Sequence, residues 1–342
     1  MKKAYKKEIE DINKQISQVK KLDQVNESLR KSNWIFLHPY VQVFEINKLR
    51  RIISENDNID EKILTHFAER FLNLRSTIHF IDGFFATRPF LKDYEQSINE
   101  SVVLCLQKDF NGAINTLLPI IEGTLRKLLV EKKGIHKESE INIEELLKVF
   151  NYLTADYVNL QKEYLNKRYE SNIRNNEYFD KNQEKSILKK HREYYELWSN
   201  QFVKYLKDNL YANTKNRNIK DSFNRHIMFH KLSDNVDYNF ANYLRLFNCI
   251  HYLSWAIGSV YKECSILSAA DEKQVLNKWF DYFSILTVSE SLTETKRNIY
   301  KNPEIPYFKT YLNPKIAKLM VVPKLGVDIA LKAYNLMKSN EF

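Results

Sequence analysis

Along residues 114–129 the apolar positions fall at steps of three and four: Ile114, Leu117, Leu118, Ile121, Leu125, Leu128 and Leu129. An α-helix turns once every 3.6 residues, so this spacing predicts a helix with one broad apolar stripe against a core. A second run, Tyr243, Leu246, Phe247, Ile250, Leu253, Ile257 and Val260, has the same period and predicts another buried helix, of about 25 residues. The pattern is weaker near the start of the chain. Ile9, Ile12, Ile16 and Val19 make residues 5–31 a polar amphipathic helix, whose apolar face is expected to pack on the body rather than on a partner chain. Helices are predicted over 40–56 and 60–82, separated by the polar turn from Asn56 to Asp60. His38-Pro39 marks a break before them, since proline disfavours helix in the preceding residue, and Gly83 and Pro89 mark another after them. A short helix fits 142–153, and one more fits 272–300. A loop with Pro303, Pro306 and Pro314 leads to a last helix interrupted near Pro323. Residues 156–207 form a long charged stretch with interleaved aromatics, including Tyr157, Tyr195 and Trp198.

Composition agrees with an all-α reading. Hydrophobic residues make up 44% of 342, enough for a real core, while only 6 glycines and 7 prolines are present. That scarcity disfavours turn-rich sandwiches and barrels. Lys and Arg exceed Asp and Glu by 53 to 43, for a formal charge of +10, which attracts polyanions, nucleic acid first and acidic membranes second. Cys105, Cys249 and Cys264 are scattered and odd in number, which supports neither a disulfide framework nor a zinc site and suits a reducing cytosol. The basic N-terminus is followed by no apolar run, so no signal peptide is expected, and no stretch is long and apolar enough to span a membrane. A cytoplasmic protein with no membrane partner is expected.

The chemically informative stretch runs from Asp221 to His230, Asp-Ser-Phe-Asn-Arg-His-Ile-Met-Phe-His. With Asp221 or Ser222 as N-cap, Asn224, Arg225 and His226 fall in the first turn of a helix, where backbone N–H groups and the helix dipole favour an anion. Arg225 adds a planar fork that matches phosphate oxygens. His226 and His230 are four apart and share a face, whereas Arg225 and His230 lie roughly 140° apart around an ideal helix. An irregular first turn, a wrapping Arg arm or a second copy of the chain would bring the latter two to one phosphate. RNA cleavage needs a base for the 2′-hydroxyl proton, a cation for the phosphorane and an acid for the leaving oxygen. Histidine titrates near neutrality and supplies the acid or base; arginine keeps its proton and supplies the clamp. His226 and His230 lack the Glu and third ligand of a zinc helix, so no metal and no cofactor is expected.

The R-H-x-x-x-H spacing at 225–230 resembles the signature of the HEPN family, an Arg, a polar residue, three residues and a His. The upstream segment DFNGAINTLLPIIEGTLRKLL, residues 109–129, is similar to the helix of one HEPN branch that reads LLP-x-iEg-lR. The downstream segment YNFANYLRLFNCIHYLSW, residues 238–255, is similar to that branch's RLF helix. The resemblance covers 95–262. It implies an all-α HEPN-like bundle at the centre; with the helices read at both ends, the chain divides into an N-terminal helical region 1–90, a HEPN domain 91–268 and a C-terminal helical extension 269–342. It implies a metal-independent endoribonuclease, usually homodimeric with two motifs at a composite cleft, acting as a toxin or in antiphage defence. Partners would be RNA and an antitoxin or defence-system protein. Arg225 and His230 take the two catalytic positions and His226 the variable polar one. Lys231 stands where the branch often has Gly and would add a cation for RNA. Asn224 is either a helix-start residue or an RNA contact. Glu122 either pairs with Arg126 one turn away or orients Arg225 or a histidine. The alternative reading is a non-catalytic HEPN module that binds RNA or a protein.

Overall fold

The stripe at 114–129 lies in helix α6 (Phe110–Lys133), which starts where the Asp109 carboxylate accepts the Gly112 N–H at 2.9 Å and stops at Gly134. Gly134 has φ +64°, the left-handed conformation that glycine adopts without a Cβ penalty and that ends many helices. Every residue of the stripe is buried. Against α6 lies α11 (Phe240–Gly258), capped by Asn239, whose side chain accepts the Asn242 N–H at 2.9 Å. α11 buries residues on nearly every side, as a helix through the middle of a bundle must. It has nineteen residues rather than the predicted twenty-five, because the chain turns after Gly258 and Val260 packs from outside the helix.

The computed structural model describes residues 2–36, 43–55, 58–134, 142–170, 181–212, 223–230, 238–264 and 270–300. They form an all-α fold, with no strand among them. Besides α6 and α11 the elements are α1 (Lys2–Arg30), α2 (Val43–Ser54), α3 (Ile59–Leu72), α4 (Leu74–Ile78), α5 (Glu95–Leu106), α7 (Ile143–Leu147), α8 (Val149–Glu170), α9 (Lys181–Tyr205), α10 (Arg225–His230) and α12 (Glu272–Tyr300). α5 and α6 pair across a three-residue connection, α8 pairs with α9, α1 lies along α9, and α12 packs on α4 and α5. The apolar face of α1 is therefore covered by the body, with Ile12, Ile16 and Val19 buried. One hydrophobic core runs from Val19 to Leu286, continuous across positions 90 and 268, where the sequence suggests divisions.

Two sequence expectations change. The helix predicted over 60–82 is interrupted at Asn73, whose side chain caps α4, and it then widens into a π-helical turn at His79–Phe84. The helix predicted over 142–153 is two: α7 ends at Leu147, with Lys148 as its C-cap, and α8 runs from Val149 to Glu170. Three aromatics of the charged stretch, Tyr157, Tyr195 and Trp198, belong to the core, where Tyr157 stacks on Tyr195 at 4.7 Å, whereas Tyr164 is exposed. The helix expected near Pro323, the proline loop before it and the break at His38-Pro39 lie outside the described residues.

His66 carries a pH dependence. It is buried on α3 with its ring edge-on to Phe36 and Phe67, and neither ring nitrogen has a hydrogen-bond partner among the described residues. Burial first, then the Lys48 and Arg70 cations, pull its pKa from 6.5 down to about 3. The folded chain thus refuses a proton that the unfolded chain accepts below about pH 6.5. Stability from this group is complete above pH 6.5 and is lost as the pH falls towards 3, by on the order of 4 kcal/mol in total. Urea unfolding at a series of pH values is expected to show this acid loss in the native chain and a smaller one in His66→Leu. Parallel curves for the two proteins would contradict it.

Candidate active site

The sequence around α10 buries one side of a short helix and presents the other. Phe223 is buried against the Tyr205 ring at 6.1 Å and under the Arg245 guanidinium at 5.4 Å. Met228, five positions on, is fully buried, and the Tyr238 hydroxyl donates to its carbonyl at 2.7 Å. Between them Asn224, 1% exposed, uses both ends of its amide. Its Nδ2 donates to the Ala212 carbonyl at 2.8 Å, and its Oδ1 accepts the backbone N–H groups of His226 and Ile227 at 2.9 and 3.4 Å.

Asn224 is therefore the N-cap of α10, in place of Asp221 or Ser222, both outside the described residues. This changes the expected chemistry. Two of the first-turn amides, those of His226 and Ile227, are satisfied by Oδ1, and α10 spans only six residues, so its dipole is small. Asn224 holds the site together from within rather than facing solvent. Attraction for phosphate has to come from side chains.

Arg225 supplies it. The guanidinium is partly covered and its Nε donates to Glu122 Oε2 at 3.0 Å, an ion pair between residues 103 positions apart. Glu122 sits on α6, and its other oxygen, Oε1, accepts Nε and Nη2 of Arg126 at 3.1 and 2.8 Å. Glu122 thus contacts both arginines that the sequence offered as its partners, Arg126 one turn away and Arg225 on α10. His226 is exposed on α10 next to Arg225. His230 is the last residue of α10; its side chain, and the whole of Lys231, lie outside the described residues.

Sequence reasoning missed Tyr211 and Tyr238. Tyr211 precedes α10 in the chain; its hydroxyl is buried with no hydrogen-bond partner among the described residues. Burial first, then the Glu122 charge, raise its pKa, with Arg225 and Arg126 acting the other way, so it stays protonated beside the charge cluster. Tyr238 closes the far end of α10. Both lie in the connections flanking the motif, where no periodicity marks them.

Among the described residues, no group of three or more His, Cys, Asp or Glu side chains is clustered as a metal site requires, and no helix is long and apolar enough to cross a membrane. The arrangement supplies one oriented guanidinium, a carboxylate that orients it, and an exposed imidazole. Comparison with protein-family models, with curated proteins and with solved structures gives no match.

Proposed function

We propose that the chain is a HEPN-type endoribonuclease that cuts RNA by attack of the ribose 2′-hydroxyl on the adjacent phosphorus, without a metal ion. The observation that carries the reading is the clamp: Arg225 is held by Glu122 at 3.0 Å on a helix fixed by Asn224, with His226 exposed beside it. The 2′-oxygen forms a bond to phosphorus as a histidine takes its proton. The five-coordinate phosphorane gathers negative charge, which the Arg225 guanidinium stabilises because it is already in place. The 5′-oxygen then leaves with a proton from an acid, giving a 2′,3′-cyclic phosphate and a 5′-hydroxyl end. His230 serves as base or acid, and His226 as the second proton-transfer or orienting group. A homodimer would place two such motifs at one cleft, and the proposed setting is toxin action or antiphage defence.

The histidine roles are separable. In excess EDTA, His230→Ala is expected to lower the cleavage rate by about 10²–10⁴-fold, the range for loss of one acid or base. His226→Ala should lose less. A His230→Ala protein as fast as native would remove His230 from the chemistry. RNA binding with no cleavage by the native chain would favour a non-catalytic module.

A further inference from the structure

One carboxylate serves two cations in the site. Glu122 gives Oε1 to both Nε and Nη2 of Arg126 and Oε2 to Nε of Arg225. All three side chains are partly covered, 16% exposed for Glu122, 22% for Arg126 and 24% for Arg225. Their charges sum to +1. Tyr211 adds a buried hydroxyl that feels all three charges and contributes no charge of its own.

The two bonds differ in origin. Glu122 and Arg126 are four apart on α6, so the geometry of one helix places them side by side. Arg225 arrives on a different helix and meets the oxygen that Arg126 does not take. A carboxylate left to itself grips one guanidinium with both oxygens, the strongest geometry for such a pair. With Arg126 absent, both oxygens of Glu122 become available to Arg225, and the pair sums to zero charge. A neutral pair is a poor partner for a phosphodiester.

We propose that Arg126 is a positioning residue: by occupying Oε1 of Glu122 it limits Arg225 to one oxygen, so that Arg225 is aimed by the carboxylate without being neutralised by it. The proposal rests on the function proposed above, in which Arg225 meets the RNA phosphate.

The test is a charge cycle in the full-length chain. The variants are Arg126→Gln, Glu122→Gln, their double mutant, Arg126→Lys and Arg225→Ala. Affinity is measured with a labelled 2′-O-methyl RNA strand, which binds but lacks the nucleophile, and kcat and KM with the cleavable strand in EDTA. Arg126→Gln is expected to raise Kd and KM by about tenfold, a modest factor because the cluster is partly solvated, with the smaller change in kcat. Arg126→Lys keeps the charge and should recover most of that loss. In the double mutant the cluster returns to +1, so it is expected to bind RNA more tightly than Arg126→Gln alone. A purely structural role for Arg126 predicts the reverse, a double mutant at least as weak as either single one. Thermal melting accompanies each variant, and if Arg126→Gln fails to fold, the comparison of Arg126→Lys with native decides. Native-like Kd in Arg126→Gln, or a double mutant no tighter than it, overturns the positioning role. Loss of cleavage in Arg225→Ala alongside native behaviour in Arg126→Gln overturns the positioning role alone. Native-like cleavage in Arg225→Ala overturns the proposed function, and absence of RNA binding by the native chain overturns both.

Discussion

Arg225→Ala is expected to lower RNA cleavage by about 10³-fold, the scale on which enzymes depend on a fixed cation or oxyanion donor at a reacting phosphoryl or acyl centre. The change should leave folding almost untouched. Arg225 is partly exposed, and after its removal Glu122 keeps two bonds to Arg126, so the Glu122 carboxylate is not stranded. Arg225→Lys keeps the charge but loses the planar fork and the Nε bond to Glu122, and should recover only a small part of the rate. Rates are to be compared in EDTA, with melting curves for each protein. A fall in rate that merely tracks a fall in melting temperature would mean that Arg225 is a structural residue.

The largest loss of stability expected from a substitution lies away from the site, at Asn26 on α1. This residue is fully buried, and its amide joins three parts of the chain. Nδ2 donates to the Phe36 carbonyl at 3.1 Å and to Gln201 Oε1 on α9 at 2.7 Å, while Oδ1 accepts the Phe36 N–H at 2.8 Å. The N–H groups of residues 31–34 bond back to carbonyls at the end of α1, while side chains meet carbonyls further along the segment and both backbone groups of Phe36. Tyr205 donates to the Asn33 carbonyl, Arg245 to that of Ser32 and Asn248 to that of Ile35. Asn26→Leu is nearly equal in size, yet it leaves the Phe36 N–H and C=O buried without partners. The expected cost is about 3 kcal/mol, since each stranded group costs about 1–3. Asn26→Asp should be worse at neutral pH, because a buried carboxylate oxygen would then face two other oxygens, and it should improve on acidification as that carboxylate takes up a proton. Urea unfolding measures both. A loss below about 1 kcal/mol in Asn26→Leu would show that the segment satisfies its backbone in another way.

What the sequence made legible follows from how each feature is encoded. α6 and α11 were readable because their apolar residues repeat with the helix period over many turns, and the all-α class follows from them and from the shortage of glycine and proline. α1 was readable for the same reason, down to its packing on the body. The breaks at Asn73 and Lys148 were not, because they depend on which neighbouring element claims the chain rather than on any residue that forbids helix. The cap of α10 was misplaced for a related reason. Asp221, Ser222 and Asn224 are all capable N-caps, and only the buried Ala212 carbonyl, twelve positions upstream of Asn224, selects the last of them. Pairing of Glu122 with Arg126, or with Arg225, was visible as two alternatives. That a single carboxylate bridges the two arginines requires α6 and α10 to be adjacent, and no spacing in the sequence states that.

The most direct measurement incubates the native chain with RNA in excess EDTA and identifies the ends of the fragments. The proposed chemistry predicts 2′,3′-cyclic phosphate and 5′-hydroxyl ends, with no product from a 2′-O-methyl strand and almost none from Arg225→Ala. Cleavage that appears only on adding a divalent metal, or fragments with free 3′-hydroxyl ends, would contradict it.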